Sequence, residues 1–414
     1  MRKLIRLGCL SYFVIGLAHI VAGAVLEPLI SMYEIDYKAG GQWIMNQFFG
    51  FLIGVLLAPW ITGWLGRRGG MVLAMGCLTA TEAVYSMLLP WHFILIFAPL
   101  AGFGFGLTEA VVGALVLDVF ANKRATYIGW LETFFGLGAL TMPVIAAWLI
   151  GQGIWQMSFP VLTALSGITL LLWLTLSFGR ADEQIGYHFY RSREPAERAG
   201  AVPAGPSSSA GRMREKPRYR AADFVLLLLG MTFFLVYIGL EISFSNYLPS
   251  ILKLEADFGE SQASSVLGLY WCAMVIGRLL IGRMTRLSGY KRYLLLTTGG
   301  SLFLFALLVL PLSAGWLLAV IVAIGLLMAG VFAVALIYVN ERLPGMTGRT
   351  TSLLVASGGL GGAVFPKITG WLLDGYDGAS ALRFFALLSG LVLVLLLLLL
   401  GLEGWHRTRG HHGA

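Results

Sequence analysis

Six carboxylates lie within long apolar stretches of this chain, where an acidic side chain is costly to bury. They are Glu27, Glu82, Glu109, Asp118, Glu132 and Glu241. A charged side chain at the centre of a membrane helix costs about 2.5–3.5 kcal/mol on insertion scales, so such residues usually face protein or an aqueous cavity. Acids in this setting bind and release protons or hold a polar ligand, and together they form the ladder that a proton relay requires.

Glu109 and Glu132 each share a helix face with small residues. Glycines stand seven and three positions before Glu109 and four positions after it, which is the spacing of one helix face. Glu132 begins the same four, three, four spacing, which ends at Pro143. Because small residues let helices approach closely, both acids are predicted to point into protein rather than lipid. Glu82 and Asp118 are predicted to be structural, with Asp118 near Lys123 or Arg67.

The elements that must position these acids are membrane-spanning helices. Of the 414 residues, 58% are hydrophobic and only 12% are charged, whereas about a quarter of a soluble domain is charged. Apolar runs of about 20 residues or more predict twelve helices, at 7–33, 42–65, 71–90, 93–119, 126–150, 155–179, 222–252, 262–284, 292–312, 315–340, 348–373 and 380–403. The predicted fold class is therefore all-α integral membrane protein, in the cell membrane and with no cofactor or metal.

The basic residues report orientation rather than a nucleic-acid partner. They cluster at the N-terminus and in alternate loops, as Arg2, Lys3, Arg6, Arg67, Arg68, Lys123, Arg124, Arg286, Lys291, Arg292, Arg342 and Arg349. By the positive-inside rule, both termini are predicted to be cytoplasmic. The net charge of +8 is therefore a signal of topology. The N-terminal apolar run continues to about Tyr33, which favours a first membrane helix over a signal peptide.

The chain divides into two related halves. A polar segment rich in Pro, Gly and Ser predicts a cytoplasmic linker at 181–221, between six-helix bundles at 1–180 and 222–404, with a tail at 405–414. At an offset of 223 residues, GLGALTMPVIAAWLI (136–150) aligns with GLGGAVFPKITGWLL (359–373). Six plus six helices in parallel repeat are the layout of major facilitator transporters.

Polar and aromatic side chains in the predicted helices suit recognition of a sugar. Such a site needs amides and indoles at a cavity, with an aromatic ring to stack against the apolar face of the ligand. The candidates are Asn46, Gln47, Trp130, Glu132, Glu241, Asn246 and Trp271. His19 is interpreted as a polar core residue and Lys367 as a side chain that reaches outward.

Five segments resemble a known group of sugar transporters. They are QFFGFLIGVLLAP (47–59), GLTEAVVG (106–113), LETFFGLGAL (131–140), GLEISFSNYLPSI (239–251) and WCAMVIGRLLIG (271–282). They resemble bacillar glucose/mannose–proton symporters of the major facilitator superfamily and, more distantly, fucose–proton symporters. The resemblance implies proton coupling at Glu109 and a sugar contact at Glu132. Gln47, Glu241 and Asn246 match residues of the bacillar group.

The chain also departs from these relatives. Ala24 stands where the fucose group has an aspartate, and Glu27 is the nearest acid. The usual loop signature is degraded, with Gly63 at its acidic position in the first half and Arg286 in the second. The predicted gating residues are Asp118, Arg67, Arg68 and Arg286.

The predicted function is proton-coupled uptake of a monosaccharide such as glucose by alternating access, through a monomer. Glu109, Glu132, Glu27 and Glu241 are the predicted proton-coupling residues. The alternative is a proton-driven exporter of drugs or metabolites on the same fold. It is disfavoured by Ala98 and Met142, which stand where an arginine and the glycine of a Gly-Pro pair are expected. A sugar receptor and sodium coupling stay open, whereas an enzyme is disfavoured because the predicted helices carry no catalytic motif.

Overall fold

The computed structural model is helical throughout the residues that it describes, which are 2–119, 124–179, 221–343 and 347–410. Its helices are α1 (Arg2–Ala24), α2 (Leu26–Tyr33), α3 (Tyr37–Ser86), α4 (Trp91–Val119), α5 (Arg124–Gly151), α6 (Ser158–Thr175), α7 (Ala221–Ala256), α8 (Glu260–Leu308), α9 (Ala314–Met328), α10 (Val331–Asn340), α11 (Thr347–Gly375) and α12 (Gly378–Gly410). The predicted linker falls almost entirely outside these residues. α12 runs to Gly410, so the predicted tail at 405–414 begins inside a helix rather than after it.

Ten segments of the described chain are long and apolar enough to cross a membrane. Two of them, α3 with 50 residues and α8 with 49, are more than twice as long as one crossing requires. Each is broken at one glycine, Gly66 (φ 72°, ψ 171°) in α3 and Gly289 (φ 74°, ψ 159°) in α8. Positive φ is easily reached only by glycine. The two breaks are 223 positions apart, which is the offset of the sequence repeat.

The first apolar run is also interrupted. α1 ends at Ala24, Val25 leaves the helical conformation (φ −117°, ψ 13°), and α2 starts at Leu26. The break lies just before Pro28, whose ring and missing N–H favour the first turn of a helix over its interior. Glu27 therefore lies in the first turn of a short half-helix instead of in the middle of a continuous one.

The glycine stripe of α4 packs on α3, as its spacing predicts. A Cβ atom at Gly102 would overlap the Gln47 carbonyl oxygen, and one at Gly106 would overlap that of Phe51. Gly50 of α3 packs equally closely on Pro99 of α4. The backbones of the two helices are thus in direct contact, which leaves Glu109, one turn further along α4, near the centre of the bundle.

Four pairs of helices join the two halves: α1 with α7, α2 with α7, α3 with α11, and α5 with α8. Gly23 packs against the backbone of Asn246, and Gly41 against that of Pro366. The Ser264 hydroxyl donates to the Pro143 carbonyl oxygen at 3.2 Å. The ends of α3, α7 and α11 at Tyr37, Ala256 and Gly375 lie together. The loop charges predict that this end of the molecule is external, and it is called the outer end.

Candidate transport site

A partly buried arginine, Arg278, lies at the centre of the molecule. Nη1 of Arg278, on α8, lies 3.8 Å from Oε2 of Glu132 on α5. The guanidinium group also interacts electrostatically with Glu109 of α4 and Glu241 of α7. Three of the four acids predicted to couple protons thus surround one cation, and they come from both halves of the chain. This set of Glu109, Glu132, Glu241 and Arg278 is called the central cluster.

The arginine is held by aromatic faces and by a gap at a glycine. Its guanidinium carbon lies 5.9 Å from the ring centroids of both Phe135 and Trp271, within the range of cation–π attraction. At Gly136, one turn after Glu132, a Cβ atom would come within 3.7 Å of Arg278 Nη1 and 2.8 Å of a methyl group of Val275. The glycine on the predicted small-residue face therefore makes room for the arginine and its helix.

Each remaining acid of the central cluster has a tyrosine beside it. The Tyr12 hydroxyl donates to the backbone carbonyl oxygen of Glu109 at 3.1 Å, which ties α1 to α4 at this level. The Tyr237 hydroxyl, one turn before Glu241 on α7, lies within hydrogen-bonding reach of its carboxyl group. The same hydroxyl donates to the Met328 carbonyl oxygen at 2.7 Å, where α9 ends.

Aromatic rings line the region beside the charges. His19 packs edge-on against Phe48 and Phe135, with ring centroids 5.2 and 5.5 Å apart, and is close enough to Arg278 to interact electrostatically. Trp271 lies edge-on to Phe135 at 6.4 Å and is 1% exposed. Its indole N–H has no hydrogen-bond partner among the described residues. A buried donor of this kind is suited to a polar ligand.

Gln47 and Asn246 are also buried, and one side-chain atom of each is unpaired among the described residues. Gln47 is 2% exposed and its Nε2 lacks a partner. Asn246 is 1% exposed, and its Nδ2 donates to the Ile242 carbonyl oxygen at 2.9 Å while its Oδ1 lacks a partner. Asn246 also packs on Gly23, so it lies where the two halves meet.

Asn46 and Trp130 do not join the central cluster. Asn46 donates to the Leu95 carbonyl oxygen at 3.0 Å and accepts from Gln42 at 2.8 Å, so its amide is used to tie α3 to α4. Trp130 is 51% exposed and packs edge-on against Tyr127. It lies two positions from Glu132, or about 200° around the helix, so it faces away from Arg278.

Glu27 belongs to a different region, the outer end. Its Oε2 lies 2.9 Å from Nζ of Lys253, which also lies 2.8 Å from Oε1 of Glu260. Glu27 is 4% exposed, whereas Lys253 is 36% exposed. Glu27, predicted to couple protons, is thus paired with a lysine of the other half. Sequence reasoning missed Lys253 because the two residues are more than 200 positions apart.

Further contacts join the halves at the same end. Asp374 accepts from the backbone N–H groups of Tyr37 and Lys38 at 2.9 and 2.7 Å. Lys367 donates to the Lys38 carbonyl oxygen at 3.0 Å, and the Tyr247 hydroxyl donates to that of Tyr37 at 2.9 Å. Lys367, expected to reach outward, bonds to the start of α3 at the outer end. These residues, with Glu27, Lys253 and Glu260, are called the outer network.

The predicted gating residues have mixed positions. Arg68 donates to the carbonyl oxygens of Trp173 and Leu174 at 2.9 and 2.8 Å, which joins α3 to α6 within the first half. Arg286 is exposed and donates to the carbonyl oxygen of Gly282 in its own helix at 3.0 Å. Arg67 is buried. The side chain of Asp118 lies outside the described residues.

Glu82 is fully buried, as expected of a structural residue. It lies on α3 one turn before Tyr85, whose hydroxyl accepts from Trp43 at 2.9 Å. Neither carboxyl oxygen of Glu82 has a hydrogen-bond partner among the described residues. Its surroundings lie within the first half, and Arg278 is not among its electrostatic neighbours.

The sequence was compared with family models and with known proteins. The model of the Major Facilitator Superfamily matches residues 8–254 and 229–410. The glucose/mannose transporter GlcP of Bacillus subtilis (strain 168) is 27% identical over 373 residues, covering 89% of this chain and 87% of that one. The sodium-dependent glucose transporter 1A of Mus musculus is 23% identical over 415 residues, covering 93% of each.

A solved structure supports the same fold. The crystal structure of a D-xylose-proton symporter superposes with a TM-score of 0.72 at 14% identity, covering 95% of this chain and 96% of that one. The helices, the family match over nearly the whole chain and these relatives describe a multi-pass protein of the cell membrane that is a transporter rather than an enzyme. This chain belongs to the Major Facilitator Superfamily.

Proposed function

We propose that this protein takes up a monosaccharide such as glucose together with protons, by alternating access around the central cluster. The observation that carries the proposal is the meeting of Glu109, Glu132 and Glu241 around Arg278, with acids from both halves. Because the site is shared between the halves, the distances between its charges change when the halves move. The glucose/mannose transporter of Bacillus subtilis supports the choice of substrate class.

The charges of the central cluster supply a reason for coupling. When all three acids are ionised, the cluster holds two more negative than positive charges, which is unfavourable in a site that closes away from water. A proton on Glu109 or Glu132 lowers that excess and leaves Arg278 paired with the other acids. Protonation therefore favours the closed, sugar-filled state, and the proton is released together with the sugar on the inner side.

The aromatic rings beside the cluster fit the sugar. Trp271 and Phe135 offer faces for the apolar side of a pyranose, and the free indole N–H of Trp271 is a donor for a hydroxyl. Gln47 and Asn246 add buried amide atoms that lack partners among the described residues. Glu132 and Glu241 accept hydrogen bonds from sugar hydroxyls when ionised.

We further propose twelve crossings in two six-helix halves, with both termini in the cytoplasm and the protein acting as a monomer. The breaks at Gly66 and Gly289 support two crossings for each of α3 and α8. α1 with α2, and α9 with α10, each count as one interrupted crossing. The loop charges support the orientation.

The described conformation is proposed to be inward-facing. The outer network joins the halves at the predicted external end through contacts of 2.7–3.0 Å. Glu132 nevertheless has 47% of its side-chain surface exposed. With the outer end joined, that exposed space leads toward the cytoplasm, where bound sugar and proton are released.

The test is uptake into proteoliposomes loaded with buffer alone, with hexoses, pentoses and nucleosides supplied in turn. We expect a hexose to accumulate when an inward proton gradient is imposed and only to equilibrate without it. A sodium gradient that drives accumulation instead would replace the proton as coupling ion. Binding with no uptake would support a receptor, and accumulation in inverted vesicles alone would support an exporter.

Substitution of the acids tests the site. Glu109→Gln and Glu132→Gln are expected to abolish uphill uptake, while counterflow exchange of sugar persists in at least one of them. Glu82→Gln is the matched control, because it removes another buried acid from the same half outside the central cluster. Uphill uptake that survives both cluster variants, or that is lost only in Glu82→Gln, would overturn the assignment.

A further inference from the structure

A groove of about 460 Å³ opens between α1 and α5, on the side of α5 opposite Glu132. Its wall includes Cys9, Phe13, Trp130 and Phe134, with Arg6 at one end. Trp130 and Phe134 are 51% and 38% exposed. Their positions lie about 160–200° around the helix from Glu132. In a family member that spans the membrane, this surface faces lipid rather than the transport site.

The groove has the shape and depth of a place for one acyl chain. Along α1 it extends from residue 5 to residue 13, which is about 12 Å of helix. Apart from Arg6, its lining is apolar, so a hydrocarbon chain is more favourable in the groove than water is. The tryptophan at its rim is a residue that is enriched at the level of lipid headgroups.

Arg6, the charged residue of the lining, gives one end of the groove a positive charge. Arg6 is exposed and has no acidic partner among the described residues, and Lys3, one turn earlier, is also exposed. Both lie at the end of α1 that loop charges predict to be cytoplasmic, where the membrane leaflet carries anionic lipids. A guanidinium group matches the geometry of a phosphate oxygen pair.

We propose that the groove binds one anionic phospholipid of the inner leaflet, with an acyl chain against Trp130 and Phe134 and the phosphate at Arg6. A second cavity shows the contrast. It measures about 250 Å³, lies at the outer end among α7, α8, α9 and α12, and carries Glu255 instead of a cation. That acid accepts from the Ala379 N–H at 2.9 Å and repels an anionic headgroup.

The test uses the full-length protein in vesicles and does not depend on transport. Tryptophan fluorescence is measured in phosphatidylcholine vesicles that contain increasing fractions of either dibrominated phosphatidylglycerol or dibrominated phosphatidylcholine. Bromine on an acyl chain quenches an indole that it touches. The signal of Trp130 is the difference between the wild-type protein and Trp130→Phe.

We expect Trp130 to be quenched at a lower fraction of the anionic lipid than of the zwitterionic one. Arg6→Gln is expected to weaken that preference about fivefold, the effect of one basic residue at an anionic surface. Arg283→Gln, which removes an exposed arginine elsewhere in the predicted cytoplasmic half, is the control and should leave it unchanged. Equal quenching by both lipids, or an equal effect of both arginine variants, would mean ordinary contact with bulk lipid and would overturn the proposal.

Discussion

The central cluster and the outer network both join the two halves through charge, but they differ in geometry. In the outer network Lys253 lies 2.9 and 2.8 Å from two carboxylates, and the ends of helices are bound at similar distances. In the central cluster Arg278 is 3.8 Å from its nearest acid and shares its charge among three. Short contacts hold a conformation, whereas loosely shared charge leaves room for a proton and a ligand.

The two regions also differ in how fully their polar groups are hydrogen-bonded. Around Arg278, rings replace hydrogen-bond partners, and the indole N–H of Trp271 is unpaired among the described residues. At the outer end, backbone groups of Tyr37 and Lys38 are directly bonded to Asp374 and Lys367. Ion pairs between the halves are therefore short in the outer network and loosely shared in the central cluster, where the transport site is proposed.

The largest effect on stability and uptake is expected for substitution of Arg278. Arg278→Gln leaves three acids without their shared cation. Because Glu132 has 47% of its side-chain surface exposed, the cost lies between about 1 kcal/mol for an exposed pair and about 3–5 kcal/mol for a fully buried one. We expect a corresponding fall in thermal stability together with loss of uptake. Arg278→Gln combined with Glu132→Gln should recover part of the stability, as measured by thermal unfolding in detergent. A double variant no more stable than the single one would show that the two residues do not form a pair.

Addition of a methyl group at Gly136 tests how closely the helices pack around Arg278. Gly136→Ala places a Cβ atom 2.8 Å from Val275 and 3.7 Å from Arg278. Overpacking of this kind costs about 1–3 kcal/mol, so we expect lower thermal stability and weaker uptake. Gly129→Ala, on the same helix with no atom within 4 Å of the added carbon, is the matched control and should be neutral or stabilising. Similar effects from both substitutions would contradict close packing at Gly136.

The two tryptophans test which aromatic residue serves the sugar. Trp271→Phe keeps a ring but removes the unpaired indole N–H, and the loss of one neutral hydrogen bond is about 0.5–1.5 kcal/mol. The apparent affinity for sugar, taken from the concentration dependence of uptake, is therefore expected to fall roughly two- to tenfold. Trp130→Phe lies on the far side of α5 and should change the sugar affinity little. The reverse order of effects would return Trp130 to the transport site.

The smallest effect on uptake is expected at the outer network, which lies outside the central cluster. Lys253→Gln removes the cation between Glu27 and Glu260; water screens the pair with Glu260, but Glu27 is 4% exposed, so the loss of stability is at least about 1 kcal/mol. We expect faster hydrogen–deuterium exchange in α2 and in the first turn of α8, with the difference from wild type reduced at high salt. Unchanged exchange at low salt would show that this lysine does not hold the outer network together.

Several features of the fold could be predicted from residues and spacing alone. The apolar runs indicated the membrane helices, because hydrocarbon demands about 20 apolar residues for each crossing. The glycine spacing before Glu109 predicted close packing on a neighbouring helix, and Gly102 and Gly106 do pack on α3. The pairing of Gly66 with Gly289 by the sequence repeat matches two equal breaks in the backbone.

The candidate site was predicted only in part. Glu109, Glu132 and Glu241 were found because an acid in an apolar run is conspicuous. Arg278 was missed because it was taken as part of the motif GRLLIG, with no sign that three distant helices present acids to it. Trp130 was included because residue type suggests a sugar contact, yet only its direction on α5 decides what it faces.

The sequence by itself determined the solvent of this protein, the number of apolar runs, the repeat and the presence of costly acids, because these depend on composition and on spacing along one chain. Only the tertiary structure decided which acids share a cation in the central cluster and which belong to the outer network. Glu27 and Lys253 are separated by more than 200 residues, and Glu132 and Arg278 by more than 140. Whether such charges meet depends on how the two halves pack, which no local pattern in either half records.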